Sequence, residues 1–242
     1  MSTPEQDHIV DAFSFELSKV TRLEIRERVL NEMLANIHHD LAARVAKNIG
    51  LAAPKAPRAR SGVKRKNSIT PSPALSMMNT PHDSIATRKI AILAADGVDA
   101  NAVTGMQDAI AKRGAAGIVL SARLGSLTAM GGDVLEVDHT LLTMPSIAFD
   151  AVFIPGGSKS AKVLAASGDA IHFVAEAYKH GKAIAALADS AAILVAAGIG
   201  DNGAPAEGLI TGRSTKDIIK PFIAAIANHR AWSRADKDAI SA

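Results

Sequence analysis

The sequence contains no cysteine. That absence excludes disulfide bridges, thiolate metal sites and every mechanism that needs a cysteine nucleophile, and it agrees with the expected cytoplasmic location. Aromatic residues make up only 3% of the chain, with one tryptophan and one tyrosine, so the stacked platforms that hold single-stranded nucleic acid have little material. No apolar run approaches the roughly 20 residues of a bilayer-spanning helix, and the opening residues lack the basic and apolar regions of an export signal. No membrane partner is expected. What is present is 242 residues, 48% of them hydrophobic, enough for one large domain or two small ones.

The formal net charge of +3 is unevenly placed. Between positions 52 and 88 stand Lys55, Arg58, Arg60, Lys64, Arg65, Lys66 and Arg88 against a single acid, Asp83. Elsewhere acids outnumber bases, so the folded parts are expected to be mildly acidic. The same stretch holds Pro54, Pro57, Pro71, Pro73 and Pro81 among serines and threonines. Residues 52–87 therefore read as a basic, proline-rich linker. Nucleic-acid binding through Lys64-Arg65-Lys66 is an alternative role, but no folded basic face and no aromatic residue accompanies that cluster.

Residues 1–51 read as helices. Thr3-Pro4-Glu5-Gln6 has the pattern of a capping box with proline at the first helical position. Ile9, Val10, Phe13 and Leu17 then recur at helical spacing. Thr21-Arg22-Leu23-Glu24 repeats the start signal ahead of Ile25, Val29, Leu30 and Met33. A third helix from about His39 carries Leu41, Ala42, Val45 and Ile49 and stops at Gly50. Three short helices bury little apolar area, so this segment is expected to dock on something larger or to cap the following domain.

From residue 88 onward, short apolar runs alternate with helical patterns. Lys89–Ala94, Gly117–Leu120, Ala151–Ile154 and Ala183–Leu187 are apolar on both faces, as strands covered on both sides must be. Helices are expected over Ala102–Lys112, Ala161–Ala166, Ala170–His180, Ala191–Ala197 and from Ser214 to about Asn228. A short strand is expected near Leu209-Ile210, and Gly131-Gly132-Asp133 reads as the turn of a small antiparallel hairpin. This alternation predicts an α/β fold for residues 88–242: a doubly wound, mostly parallel sheet with helices on both faces, preceded by the small all-helical segment.

Ligands of such sheets bind at the carboxyl ends of the strands. Three segments end there: Asp96-Gly97-Val98-Asp99; Pro155-Gly156-Gly157-Ser158, whose backbone N–H groups form a weak candidate anion nest at Gly156, Gly157 and Ser158; and Ala188-Asp189-Ser190, a sharp strand-to-helix turn. A hydrolase nucleophile would be expected on the elbow residue itself, and Ala188 carries only a methyl group. Asp189 or Ser190 is more simply a helix cap. His38-His39-Asp40 has metal-ligand residue types, but adjacent histidines point to different helix faces, so a cap and turn is expected and no metal site.

Two resemblances bear on these segments. Asp150–Gly157 together with Lys182–Ala188 resembles the PfpI-like branch of the class I glutamine amidotransferase superfamily, which has a flavodoxin-like fold. That family places a cysteine at the elbow and an acidic residue after the first strand. Matched by position, the cysteine falls on Ala188 and the acid near Ala102, with Asp99 the nearest carboxylate. The resemblance thus implies the fold and an emptied site.

A second resemblance covers almost the whole chain. Glu5–Phe13, Phe15–Val20, Ile25–Arg28 and Asp40–Ala42 resemble the segment that follows the haem-binding barrel in large-subunit catalases. Ser72–Ser76 resembles the end of that family's linker. Arg88–Asp99, Phe149–Gly157, His172–Lys182 and His229–Trp232 resemble its appended flavodoxin-like domain. The Arg58–Lys66 stretch fits no part of the pattern.

What this implies is a non-catalytic accessory region of a haem catalase that dismutates hydrogen peroxide. The implied partners are the catalase barrel and sister subunits of a homotetramer. Unfolded client proteins become a further expected partner if the barrel-facing surface is left open. The implied cofactor, haem, belongs to the parent, and none is expected in this chain. The one tyrosine, Tyr178, is expected on a surface or half-buried helix face, with no arginine placed to make it an iron ligand. The contrasting expectation is a free-standing PfpI-like hydrolase working through Asp189 or Ser190.

Overall fold

A computed structural model describes residues 1–55, 72–200, 206–234 and 239–241. The basic cluster from Arg58 to Lys66 lies outside the described residues. The chain divides into two compact units, Met1–Thr80 and Pro81–Ala242.

In the first unit, α1 (Thr3–Ser18) is followed by α2 (Leu23–Arg28), a π-helical stretch at Val29–Leu34, the short α3 (Ala35–Ile37) and α4 (His39–Asn48). Val10, Leu17, Leu30, Leu34, Ala35, Ala42, Val45 and Ala46 form its core. The expected capping box is displaced by one residue. Ser2, not Thr3, is the N-cap, and the Glu5 carboxylate accepts the Ser2 backbone N–H at 2.7 Å. The second start signal is likewise displaced, because Arg22 rather than Thr21 holds the N-cap of α2. The π stretch slips the helix out of the 3.6-residue phase on which the sequence pattern relies. Met33, expected on the buried stripe, is accordingly exposed, and Phe13 is also open to solvent. Gly50 closes α4 with φ +70°, a conformation that glycine adopts without strain. His38 is the N-cap of α4, and His39 Nε2 lies 2.9 Å from the Pro54 carbonyl. Among the described residues no group of metal-ligating side chains converges.

The second unit is a six-stranded parallel sheet. In chain order it comprises β1 (Lys89–Leu93), α5 (Ala100–Ala111), β2 (Ala116–Ser121), β3 (Gly125–Thr128), β4 (Val134–Val137), β5 (His139–Thr140), β6 (Ala151–Ile154), α6 (Ser158–Ala165), α7 (Gly168–Lys179), β7 (Ala183–Leu187), α8 (Ala191–Ala196), β8 (Leu209–Gly212) and α9 (Thr215–Ala227). The sheet order is β5-β2-β1-β6-β7-β8, every pairing parallel, and β3 and β4 form a separate antiparallel hairpin.

The side-chain period of two sorts the strands between two cores. Ile90, Ile92, Phe153, Ala185 and Leu187 pack with residues of α5 and α9. Ala91, Leu93, Val152, Ile154, Ile184 and Ala186 pack with residues of α6, α7 and α8. Each fully buried Ile, Leu, Val or Phe contributes about 1.5–3 kcal/mol, which is why these runs hold no polar residue. The architecture is the expected α/β one, consistent with a flavodoxin-like fold. Among the described residues no helix is long and apolar enough to cross a membrane.

Candidate functional site

The strand order reverses between β1 and β6, so the loops after these two strands flank the crevice where ligands of open α/β sheets bind. Here the two loops pack directly on each other. Asp99 donates its backbone N–H to the Gly156 carbonyl at 2.9 Å. Gly157 has φ +110°, and a Cβ built on it would stand 2.2 Å from the Gly97 carbonyl oxygen and 3.0 Å from Val98 Cα. A backbone carbonyl therefore lies against the turn that the sequence offered as an anion nest, and its partial negative charge opposes an anion there.

The hairpin closes the crevice further. Gly97 N–H donates to the Thr128 carbonyl at 2.7 Å, and Met130 N–H donates to the Val98 carbonyl at 2.9 Å. Asp96 accepts the Thr128 N–H at 2.9 Å and meets Arg123 at 3.3 Å. The Thr128 N–H and the Arg123 guanidinium hold the Asp96 carboxyl below its ordinary range. Within α6, Ser160 is buried and its hydroxyl accepts the Ala95 N–H at 3.0 Å.

Asp99 is the N-cap of α5 and accepts the N–H of Ala102 at 3.1 Å. At the elbow, Ala188–Ser190 form one 3₁₀ turn, with Ala188 and Asp189 exposed and Ser190 fully buried. The expectation of a side-chain cap here needs correcting. Ser190 occupies the N-cap position of α8, but its hydroxyl makes no cap bond and instead donates to the Pro155 carbonyl at 2.5 Å. The structure thus brings the nest and elbow segments together: a Cβ on Gly156 would lie 3.8 Å from Asp189 Oδ2. Ser190 ties the two loops and is sealed from solvent, which is the opposite of an exposed nucleophile.

Tyr178 also differs from expectation. It is fully buried, and the Arg234 guanidinium stacks over its ring at 4.0 Å from the centroid. Arg234 is 3% exposed and donates to the carbonyls of Tyr178 at 2.6 Å, Lys182 at 3.2 Å and Glu207 at 2.7 and 3.1 Å. The arginine comes from the C-terminal tail, 56 residues from Tyr178, and no local pattern announces it. Packed in the core with Phe173, Val174 and Ile184, the ring has no face open to a porphyrin. Tyr178 does not fit a haem ligand.

On the first unit, Phe13 and Ile37 line an open apolar depression with Ile9, Leu41 and Met1, bordered by Arg44. Outside that depression Phe15 and Met33 are 65% and 58% exposed, and Ile37 within it is 71% exposed.

Comparison with known proteins gives this geometry a family. Residues 86–236 match the family described as the C-terminal domain found in long catalases, and residues 1–49 match one described as catalase-related immune-responsive. The chain is 42% identical over 236 residues to Catalase HPII of Pseudomonas aeruginosa, covering 97% of this chain and 32% of that protein. It is 37% identical over 238 residues to Catalase-B of Dictyostelium discoideum, covering 98% and 33%. It is 35% identical over 239 residues to Catalase-2 of Bacillus subtilis, covering 97% and 32%. The chain spans about one third of the length of these relatives, and its order of segments is theirs. It belongs to the family of long-catalase C-terminal regions.

Proposed function

We propose that this chain is the non-catalytic accessory region of a long haem catalase and supports the assembly and stability of a tetrameric parent that dismutates hydrogen peroxide. The observation that carries the reading is the match over 97% of this chain to one third of a catalase; on this reading the catalytic barrel belongs to the part not shared. The α/β unit is then a PfpI-like domain whose site is vestigial at Ala188, Asp189 and Ser190. Asp99 is retained as a helix cap and Gly156, Gly157 and Ser158 as a tight turn. The closed crevice, the buried Ser190 hydroxyl and the packed Tyr178 ring all favour a structural role over chemistry. The apolar surface at Phe13, Phe15, Met33 and Ile37 is the part that would pack on the barrel.

Two measurements test the proposal. Adding haemin to the chain and recording the Soret band, with oxygen evolution from peroxide on the same sample, is expected to show no specific shift and no turnover; a sharp shift with turnover would overturn the non-catalytic assignment. Truncating the parent catalase before this region is expected to lower its tetramer fraction by light scattering and to shorten its half-life at raised temperature. An unchanged tetramer with unchanged heat inactivation would refute the assembly role.

The same exposed surface supports a chaperone-like activity of the isolated chain, binding partly unfolded clients in place of the barrel. Equimolar chain is expected to suppress aggregation of a heated client, and Phe15→Ser with Ile37→Ser to weaken that effect. No suppression at equimolar ratio sinks this part alone.

A further inference from the structure

The amino ends of β1, β6 and β7, opposite the crevice described above, carry a second group of charged side chains. Lys182 stands one residue ahead of β7, is 3% exposed, and donates its ammonium to the Ser146 carbonyl at 2.5 Å. Asp150, one residue ahead of β6, meets Arg88 at 3.1 Å and accepts the Lys89 N–H at 2.9 Å. The chain returns to this edge after α9, where the Ala231 N–H donates to the Gly181 carbonyl at 2.7 Å. That bond brings the preceding Arg230 within electrostatic reach of Lys182, with His229 next to it in the chain.

Charge is out of balance here. Asp150 is engaged by Arg88, and Glu176, the other carboxylate whose field reaches Lys182, lies 3.2 Å from His180. Arg230 is half-buried and donates to the carbonyl of its own neighbour, His229, at 2.8 Å. Among the described residues it has no carboxylate within 4.0 Å. His229 holds a left-handed backbone at φ +67°, and its Nδ1 is buried without a hydrogen-bond partner among the described residues. Among the described residues Asp150 is the one carboxylate whose field reaches Lys182, His229 and Arg230 together, and Arg88 already engages it. Buried cations that share so little negative charge, and a buried nitrogen without a partner, both cost free energy. Residues held in sparsely populated backbone conformations also tend to gather at ligand sites.

We propose that Lys182, His229 and Arg230 form a binding site for a small oxyanion of the phosphate class. The anion supplies the missing negative charge, and its oxygens accept from the Arg230 fork and from a proton on His229 Nδ1. Arginine suits this role because its planar donors match an oxyanion bidentately. Burial and, after it, the neighbouring Arg230 push the Lys182 ammonium down to about 8 against the opposing pull of Asp150 and Glu176.

The site is tested by titrating the chain with inorganic phosphate against sodium chloride at constant ionic strength, using calorimetry and thermal melting. The expected result is one saturable binding event per chain, weakened at least about tenfold in Arg230→Gln and in Lys182→Met, since a charge-assisted hydrogen bond is worth about that factor. Arg230→Lys should fall between. Should either variant fail to fold, nitrogen NMR of the unaltered chain decides, because phosphate must move the His229 ring resonances. A melting temperature that climbs linearly with phosphate, equally in the variants, would be a solvent effect. That result, or no difference from chloride, or an unmoved His229 signal, overturns the proposal.

Discussion

Replacing Arg234 with methionine removes a guanidinium that ties the C-terminal tail to the α/β unit while leaving much of its apolar bulk. The arginine is 3% exposed and bonds to the carbonyls of Tyr178, Lys182 and Glu207. The Tyr178 carbonyl keeps a second donor in the Gly181 N–H at 2.9 Å, so it suffers less than the other two. At about 1 kcal/mol net for each bond, and about 1–2 kcal/mol for a desolvated cation over an aromatic face, the loss sums to about 3–4 kcal/mol. For a unit of this size each kcal/mol lowers Tm by about 2–4 °C, so the variant should melt about 10 °C below the parent sequence by calorimetry. Amide exchange across residues 229–234 should rise with it. Arg234→Lys keeps the charge but lacks the rigid fork that spans several carbonyls, and about half the loss should remain. A methionine variant within about 2 °C of the unaltered chain, with unchanged exchange in the tail, would refute the assignment of Arg234 as the tail's anchor.

Three further outcomes follow from the same contacts. Gly157→Ala must push a Cβ to within 2.2 Å of the Gly97 oxygen at φ +110°, and should cost about 3 kcal/mol or more in denaturant unfolding; Gly132→Ala, with φ +92° and no atom within 4 Å, should cost only about 1 kcal/mol. The Glu5 carboxylate accepts from the Ser2 N–H, the Ser76 hydroxyl and the Met77 N–H, which lower its pKa from 4.5 to about 2. Its folded pKa is depressed, so its stabilisation is complete above 4.5 and lost as pH falls towards 2; amide exchange at residues 76–78 should rise across that window, and Glu5→Gln should remove the pH dependence. Lys182 is lowered from 10.5 to about 8 by burial and by Arg230. Between those values the unfolded chain binds the extra proton, so stability should rise with pH across the window by about 3 kcal/mol. A chain carrying Lys182→Met should lose that rise, and an unchanged slope would place the titrating group elsewhere.

The parts legible in the sequence are those written in short-range pattern. Ala151–Ile154 and Ala183–Leu187 are strands to the residue, because a strand buried on both faces admits no polar residue and each run is bounded by turn formers. The hairpin around Gly131-Gly132-Asp133 follows from the same logic. The two-residue β5 is too short for any periodicity to mark it, and the π stretch at Val29–Leu34 alters the very period used to read a helix. The site was legible only as an inventory. That Ala188 lacks a nucleophile is plain from one letter, whereas the Ser190 hydroxyl meeting Pro155 across 35 residues is not. The bond from Arg234 to Tyr178 spans 56.

These long-range polar contacts share a direction. At the carboxyl end of the sheet the chain uses its own atoms to fill the crevice: the Gly97 carbonyl lies against Gly157, and Asp96, Asp99, Ser160 and Ser190 each spend a polar side chain on the backbone. At the amino end the reverse holds. Lys182 and Arg230 reach only backbone carbonyls, and a nitrogen of His229 reaches nothing among the described residues. A fold whose usual binding end is internally satisfied gains nothing there from a ligand, while an edge with buried charge in excess gains from any anion of the right size. If the α/β unit responds to a small molecule, free energy therefore places the response at the amino edge of the sheet, and phosphate should raise Tm there while leaving the Gly157 and Ser190 contacts undisturbed in NMR.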